Sequence, residues 1–201
     1  MKNSLMVSKC LLFVVLVVAA GLSACTTVET QSFRVNKNAA VESAQISTDA
    51  DFSRYSSLLA EDMGVFFSPD SPSTDEDVQR IRQIFRDAFF TELKGYEIVS
   101  KPGPTTMAVQ ASLVDLRHSS GGQAPGMRRE IRDLAVPGSL VFLMEMKDSR
   151  SGAVLARAAD SATAPTFATS NGAETDWSSV QQAAQHWATL FRQFLDANLA
   201  R

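Results

Sequence analysis

The chain has 201 residues, 45% of them hydrophobic, and a formal net charge of -3, so it is long enough for one domain with a sizeable core and too short for two of ordinary size. The acidic balance argues against nucleic acid as a partner, because the phosphates of a nucleic acid require a basic binding face. The two cysteines, Cys10 and Cys25, both lie near the N-terminus, so the remainder of the chain contains no disulfide, no thiolate nucleophile and no cysteine metal site.

The first 24 residues have the composition of an export signal. Lys2 and Lys9 give a basic start, residues 11–20 are an unbroken apolar run, and residues 21–24 are small or weakly polar. The apolar run is about half of the ~20 residues that a membrane-spanning helix needs. The pattern therefore predicts a signal peptide over residues 1–24 rather than a permanent transmembrane anchor.

The tetrapeptide Leu22, Ser23, Ala24 and Cys25 resembles the lipobox of bacterial lipoprotein signals at every position. The resemblance implies cleavage between Ala24 and Cys25, a diacylglyceryl thioether on the Cys25 sulfur and an acyl chain on its new amino group. Each buried methylene contributes ~0.8 kcal/mol to membrane binding, and more than one chain makes a stable anchor. The alternative is an ordinary secretory signal in which Cys25 stands by chance.

The residues after the cleavage site predict where the domain is held. Thr26, rather than aspartate, is the second residue of the cleaved chain, which in enteric-type bacteria implies sorting to the outer membrane, with the domain facing the periplasm. Residues 25–50 are polar and lack a regular apolar period, so we expect a lipidated N-terminus and a flexible tether that spans ~25 to 30 Å. The alternative is that Phe33 and Val35 add an edge strand. A single periplasmic domain is predicted over residues 51–201.

The first half of this domain is predicted to contain an interrupted strand, a helix and a short strand. Residues 55–67 favour one interrupted strand or two short ones. Ser73, with Glu76 three residues later, is typical of a capping box at a helix start. Gly95 ends the helix as a left-handed cap would, and residues 96–100 form a short strand. The apolar stripe of the helix consists of Val78, Ile81, Phe85, Ala88 and Leu93.

Three further strands and a long helix are predicted in the second half. The apolar alternation of residues 106–116 and 140–147 indicates two strands, and a hairpin loop over residues 148–152 leads into a third strand at residues 153–160. Aromatic and aliphatic residues at steps of three and four predict a final helix from residue 175. Its aromatic stripe is expected to pack in the core, whereas exposed tryptophans there would indicate a docking groove.

The predicted elements follow the order β-α-β-β-β-β-α. This order favours an α+β fold, a two-layer sandwich in which two main helices pack on a mainly antiparallel sheet of about four to five strands.

Four segments of the predicted domain resemble the bacterial lipoproteins of domain-of-unknown-function family 3313. They are FSRYSSLL, GYEIVSKPGPTTMAVQASLVDL, LVFLMEMKDSRSGAVLARAAD and TDWSSVQQAAQHWATLFRQFLD. The resemblance covers roughly residues 52–199 and implies an envelope lipoprotein with an α+β domain. It implies no activity, and no catalytic residue is carried over from it.

Residues that are able to support catalysis form no recognised motif. His118 and His186 have no partner at metal-ligand spacing, and Ser119 and Ser120 lie outside any Gly-x-Ser-x-Gly elbow. We therefore expect no catalytic residue, no metal and no cofactor.

Three carboxylates on different predicted strands, Asp115, Glu145 and Asp160, would form a site if they converged. Glu145 also lies two residues from Lys147 on one strand face. That pair is more often the solvated face of an antiparallel sheet than an acid–base site.

Residues 118–138 form a long loop, and compact domains seldom keep such a loop without a use. Arg128, Arg129 and Arg132 lie there among apolar residues, so they are a candidate surface for anionic headgroups, glycan or a partner. The alternative is a solvated loop, because Glu130 and Asp133 offset two of the charges.

These observations predict a non-enzymatic, lipid-anchored envelope lipoprotein that acts as an adaptor or assembly factor in the periplasm. We expect it to contact the membrane through lipid on Cys25 and to have an envelope protein partner. One alternative is a binding module for a lipid or another apolar ligand, held between sheet and helices. The other is an envelope hydrolase in which His118, Asp115 or Glu145 meet in a cleft.

Overall fold

A computed structural model describes residues 32–35, 41, 43–68, 71–116, 140–161 and 174–199, which all belong to the unit Gln31–Arg201. They form an α+β fold with one mixed sheet of eight strands and two α-helices. The predicted α+β class is confirmed. The predicted count of four to five strands and the order β-α-β-β-β-β-α are wrong, because two strands precede the predicted domain and the interrupted strand is divided in two.

The strands in chain order are β1 (Phe33–Val35), β2 (Ser43–Ser47), β3 (Ser57–Ala60), β4 (Gly64–Phe67), β5 (Glu97–Val99), β6 (Thr106–Asp115), β7 (Leu140–Asp148) and β8 (Val154–Asp160). Helix α1 (Asp75–Glu92) lies between β4 and β5 in the chain, and α2 (Trp177–Asn198) follows β8. A short 3-10 helix, Phe52–Arg54, precedes β3. Across the sheet the order is β1-β2-β8-β7-β6-β3-β5, and β4 pairs with the second half of β6.

The prediction of a flexible tether over residues 25–50 is wrong where the structure describes this segment. Strands β1 and β2 form an antiparallel pair, and β2 pairs with β8 from Ser43 opposite Ala159 to Ile46 opposite Ala156. A long unpaired β8 edge would leave its backbone groups open to other chains, and β2 covers it. The alternative, an edge strand that contains Phe33 and Val35, is the arrangement in the structure.

The sheet is mixed rather than mainly antiparallel. Strands β6, β7 and β8 are antiparallel neighbours, as predicted, but β3 runs parallel to both β5 and β6, and β4 runs parallel to β6. Parallel neighbours require a crossover connection rather than a hairpin. Helix α1 provides that connection, since the chain enters it from β4 and leaves it into β5.

Both helices contribute to one hydrophobic core on one face of the sheet. Phe142 of β7 stacks with Phe85 of α1, at 5.3 Å between ring centroids, and lies 4.1 Å from the ring of Trp187 of α2. Trp187 and Phe191 are 3% and 4% exposed. The aromatic stripe of the last helix therefore packs in the core, as predicted.

The helix ends agree with the predictions to within one or two residues. The capping box of α1 is formed by Thr74 and Asp77 rather than by Ser73 and Glu76; the shift is by one residue, since threonine also caps helices. Gly95 follows α1 with φ 96°, the left-handed conformation that was expected. Asp176 caps α2 through the backbone N–H groups of Ser178 and Ser179. No helix in the described ranges is long and apolar enough to cross a membrane.

Candidate functional site

A cavity of about 240 Å³, which we call the α1 cavity, lies between α1 and the sheet. Leu58 of β3, Val109 and Ala111 of β6, and Phe85 and Phe89 of α1 form its apolar walls. A volume of about 150 Å³ is enough to hold benzene in an apolar protein interior, and sites for drug-sized ligands start at about 300 Å³. The α1 cavity is therefore of a size to hold a small apolar group.

The aromatic residues of the cavity wall contact rings of β7 and α2. Phe85 stacks on Phe142 with an interplanar angle of 14°, and the ring centroid of Phe89 lies 5.9 Å from that of Phe191. Such aromatic pairs gain about 0.5 to 1.5 kcal/mol beyond their buried area. If either ring moved into the cavity, it would lose these contacts. The ring contacts therefore help to keep the space between helix and sheet open.

Beside the cavity, β3 and β4 pair with β6 in registers that differ by one residue. Ala60 is opposite Val109, and Gly64 is opposite Ser112, so residues 61–63 face only residues 110–111. An extra residue on one strand makes the chain bow away from its neighbour, as in a β-bulge. Residues 61–63 line the α1 cavity beside α1.

Two hydrogen bonds fix this bowed segment. The Glu61 backbone N–H donates to the carbonyl oxygen of Val109 at 2.9 Å. The Nε of Arg82 donates to the carbonyl oxygen of Met63, also at 2.9 Å. Arg82 thus joins α1 to residues 61–63 at the cavity.

Charged side chains surround the apolar interior. Besides Arg82, the lining contains Glu61, Asp62 and Arg86. The Nη2 of Arg86 is 4.0 Å from Oδ1 of Asp62, and these side chains are 58% and 100% exposed. Exposed pairs at this distance contribute between nothing and about 1 kcal/mol. The Glu61 carboxylate lies 3.3 Å from the Lys147 ammonium, so a cation of β7 offsets its charge.

Exposed apolar side chains also gather at the cavity. Among the described residues, the exposed large hydrophobic side chains are Val35, Phe90 and Ile98, and the last two line the α1 cavity. Phe90 is 44% exposed and Ile98 is 36% exposed. Apolar groups that remain in water beside a concave apolar surface are typical of a binding site.

The opposite face of the sheet has a group of alternating charges, Glu145, Lys147 and Arg157, and the Glu61 carboxylate reaches Lys147 from the segment between β3 and β4. We call these four residues the ionic network. Glu145 accepts from Arg157 Nε at 2.7 Å and lies 3.2 Å from Lys147 Nζ. The Glu145 and Lys147 side chains are 10% and 15% exposed. The interpretation of this pair as a solvated face is therefore wrong, since both side chains are largely buried.

The three candidate carboxylates do not converge. Asp115 is two residues from the core residue Leu113, so the two lie on the same face of β6, the face that packs against the helices. Glu145 is next to the core residue Met144 in β7, so it lies on the opposite face. Glu145 pairs with Gln110, five residues from Asp115 and so roughly 16 Å along the strand. Strand β7 separates Asp115 from Asp160. In the described part of the chain, no three histidine, cysteine or acidic residues form a group that could hold a metal ion.

Several predicted site residues fall outside the part of the chain that the structure describes, and the predictions on them remain predictions. They are Ala24, Cys25, His118, Ser119, Ser120, Arg128, Arg129 and Arg132. His186 lies on an exposed part of α2.

A second polar feature lies at the hairpin between β7 and β8. The Tyr55 hydroxyl donates to Oδ2 of Asp148 at 3.0 Å. Burial of Tyr55 and this hydrogen bond raise the pKa of the phenol to about 12. The backbone N–H of Ser151 donates to Asp148 and lowers the pKa of its carboxyl. The contact joins the segment before β3 to the predicted hairpin, in which Gly152 has φ 73°.

Sequence reasoning did not find the α1 cavity. A weak signal was present, because Arg82, Arg86 and Phe90 are spaced by four residues and so share one line along α1. Phe90 is thus an aromatic residue on a line that begins with two cations. The bowed segment 61–63 left no such signal, since it depends on the register with β6.

The chain belongs to the family DUF3313, a protein family of unknown function, whose model matches residues 34–191. This confirms the membership of the family that was expected from the sequence. The match begins within β1, whereas the resemblance was placed from residue 52. The family and the structure agree that the domain starts before the predicted boundary.

No curated protein matches the chain in sequence. A PelC dodecamer from Paraburkholderia phytofirmans is similar to it at 13% identity over 85% of this chain and 99% of that chain, with a TM-score of 0.36. A PDZ domain protein from Parabacteroides distasonis matches at 14% identity over 75% and 34%, with a TM-score of 0.38. A DUF4136 family protein from Bacteroides thetaiotaomicron matches at 12% identity over 82% and 95%, with a TM-score of 0.35. Scores of this size identify no shared function.

Proposed function

We propose that the protein is a non-enzymatic lipoprotein, held in the outer membrane by lipid on Cys25, that faces the periplasm and serves as an adaptor or assembly factor for an envelope protein. The observation that carries this proposal is the tetrapeptide 22–25 after the apolar run 11–20. A lipid anchor with more than one acyl chain gives lasting membrane attachment.

The arrangement of the acidic residues supports a binding role over a hydrolytic one. Hydrolysis by Asp115 and Glu145 acting together requires both carboxylates in one cleft, and the two lie on opposite faces of the sheet. The Glu145 carboxylate is also engaged by two cations, Lys147 and Arg157.

Growth with labelled palmitate tests the anchor. We expect the label in the wild-type chain and in Cys10→Ser, the matched control, because Cys10 lies in the segment that is removed. Cys25→Ser should lose the label and leave the membrane fraction. An unlabelled wild-type chain, or a labelled Cys25→Ser chain, would contradict the proposal.

Affinity purification from solubilised envelopes tests the adaptor role. A tagged wild-type chain should recover the same envelope protein in repeated preparations, in a fixed ratio to the bait. Recovery of the lipoprotein alone as a monomer would count against an adaptor.

A second candidate function is a binding module for an apolar ligand, and the α1 cavity is the observation that favours it. Its walls are apolar, and Phe90 and Ile98 are exposed beside it. Benzene is a suitable probe, because dry apolar cavities of similar size bind it. In the methyl NMR spectrum of the full chain, benzene should shift the Met63 signal and leave that of Met144, a core residue outside the cavity lining, unchanged. Equal shifts of the two signals would exclude selective uptake by the cavity.

A further inference from the structure

We propose that the α1 cavity binds a medium-chain fatty acid, with its alkyl chain between α1 and the sheet and its carboxylate at Arg86 and Arg82. This inference rests on the apolar-ligand function proposed above, and it adds the length and the charge of the ligand.

The volume of the cavity sets the length of the alkyl chain. About 240 Å³ is available. A cavity of about 150 Å³ holds the six carbons of benzene, so in proportion the volume of the α1 cavity corresponds to roughly eight to ten carbons in a single chain. A phospholipid with two long chains exceeds this volume several times.

The cations at the cavity set the charge of the head group. Arg82 and Arg86 are one turn apart on α1, and both line the cavity. Within the described ranges, the guanidinium of Arg82 makes one hydrogen bond, through Nε to Met63, so its two Nη groups have no acceptor there. Guanidinium groups bind carboxylates through paired N–H donors.

The two acids beside the cavity weaken this attraction only slightly. The Glu61 carboxylate is paired with Lys147 at 3.3 Å. The Asp62 side chain is fully exposed and 4.0 Å from Arg86, a distance at which water and salt screen most of the attraction. A ligand carboxylate is therefore able to replace Asp62 at Arg86.

An amphiphilic ligand also fits the order of the side chains on α1. Arg86 and Phe90 are one turn apart, and Phe90 is exposed beside the cavity. One molecule can hold its carboxylate at Arg86 while its first methylenes cover the ring of Phe90. This contact removes exposed apolar surface from water.

The experiment uses the full lipidated chain in lipid nanodiscs, with 13C-methyl methionine. The Met63 methyl signal, assigned by its loss in Met63→Leu, reports the cavity, and Met144 is the internal control. Octanoate and octanol are titrated at free concentrations fixed by dialysis. The variants are Arg86→Gln and, as the matched control, Arg80→Gln, whose guanidinium lies 4.0 Å over the ring of Trp177 and not at the cavity.

Octanoate should bind wild type about fivefold more tightly than octanol, the upper range for one exposed ion pair. Arg86→Gln should reduce that preference, because Arg82 alone then faces the carboxylate, and Arg80→Gln should keep it in full. If octanol and octanoate bind equally to wild type, or if Arg86→Gln keeps the preference in full, the inference on charge is overturned while the cavity remains an apolar site. If neither compound nor benzene shifts Met63, the apolar-ligand function itself fails.

Discussion

The two faces of strand β7 are both buried, but different chemistry buries them. On the helix face, Phe142, Met144 and Met146 join one continuous apolar core with α1 and α2. On the other face, Val141 and Leu143 form a small apolar cluster with β6, and Glu145 begins the ionic network. The comparison shows that burial alone does not define the core of this domain, because one strand supports an apolar layer and a charged layer at once.

The α1 cavity is the place where the apolar layer is incomplete. The packing between Phe85, Phe142 and Trp187 is close, whereas the space beside residues 61–63 is open. Substitutions in the packed core, at the cavity and on the opposite face should therefore change the free energy of unfolding by different amounts.

The largest expected effect is on the helix face. Phe142→Ala removes a ring that contacts both helices and should lower the free energy of unfolding by about 3 to 5 kcal/mol. Chemical denaturation measures this loss. Phe90→Ala is the control, and because Phe90 is 44% exposed it should change the same quantity by less than about 1 kcal/mol. Similar losses in both variants would refute the distinction between packed core and open cavity.

The next effect is on the opposite face. Glu145→Gln keeps the shape of the side chain but removes the anion that Lys147 and Arg157 share. Because Lys147 retains Glu61, the cost should be about 2 to 3 kcal/mol, less than that of leaving a buried charge wholly unpaired. Glu97→Gln, an exposed glutamate on β5, should have almost no effect in the same denaturation experiment. If the two variants are equally stable, the ionic network contributes nothing to the fold.

A smaller effect on stability is expected from the ionisation of Tyr55, at the border of the core that packs against the helices. Its folded pKa of about 12 exceeds the ordinary value of 10.0, so the folded state holds the phenol proton more tightly than the unfolded state. The stability that this gives is present below pH 10 and is lost as the pH rises towards 12, by up to about 2 kcal/mol. Tyr55→Phe should lack this part of the alkaline loss, and identical pH profiles for the two chains would contradict it.

Local patterns predicted those elements whose partners are close in sequence. The alternation of Met107, Val109, Ala111 and Leu113 places these residues on the helix face, and the loop that starts at Asp148 is the hairpin that was expected. These features depend on side-chain period and turn chemistry, which a single sequence carries.

The features that the sequence did not predict depend on pairing between strands that are far apart in the chain. Strand β2 has the sequence SAQIS, in which Ile46 is the single large apolar residue, so its place is set by the open edge of β8 rather than by its own pattern. The parallel pairing of β3 and β4 with β6 is likewise a property of the assembled sheet. The α1 cavity lies where that register changes, between β3 and β4, so a correct helix prediction was insufficient to reveal it.

Because β1 is part of the sheet, the segment between the proposed lipid anchor and the folded domain is shorter than the predicted tether. Only residues 26–32 separate Cys25 from Phe33, and a fully extended chain of this length reaches roughly 30 Å. A lipid on Cys25 would therefore confine the β1 edge to the layer next to the bilayer surface. If the anchor is present, any protein that meets this edge would have to approach the membrane to within that layer.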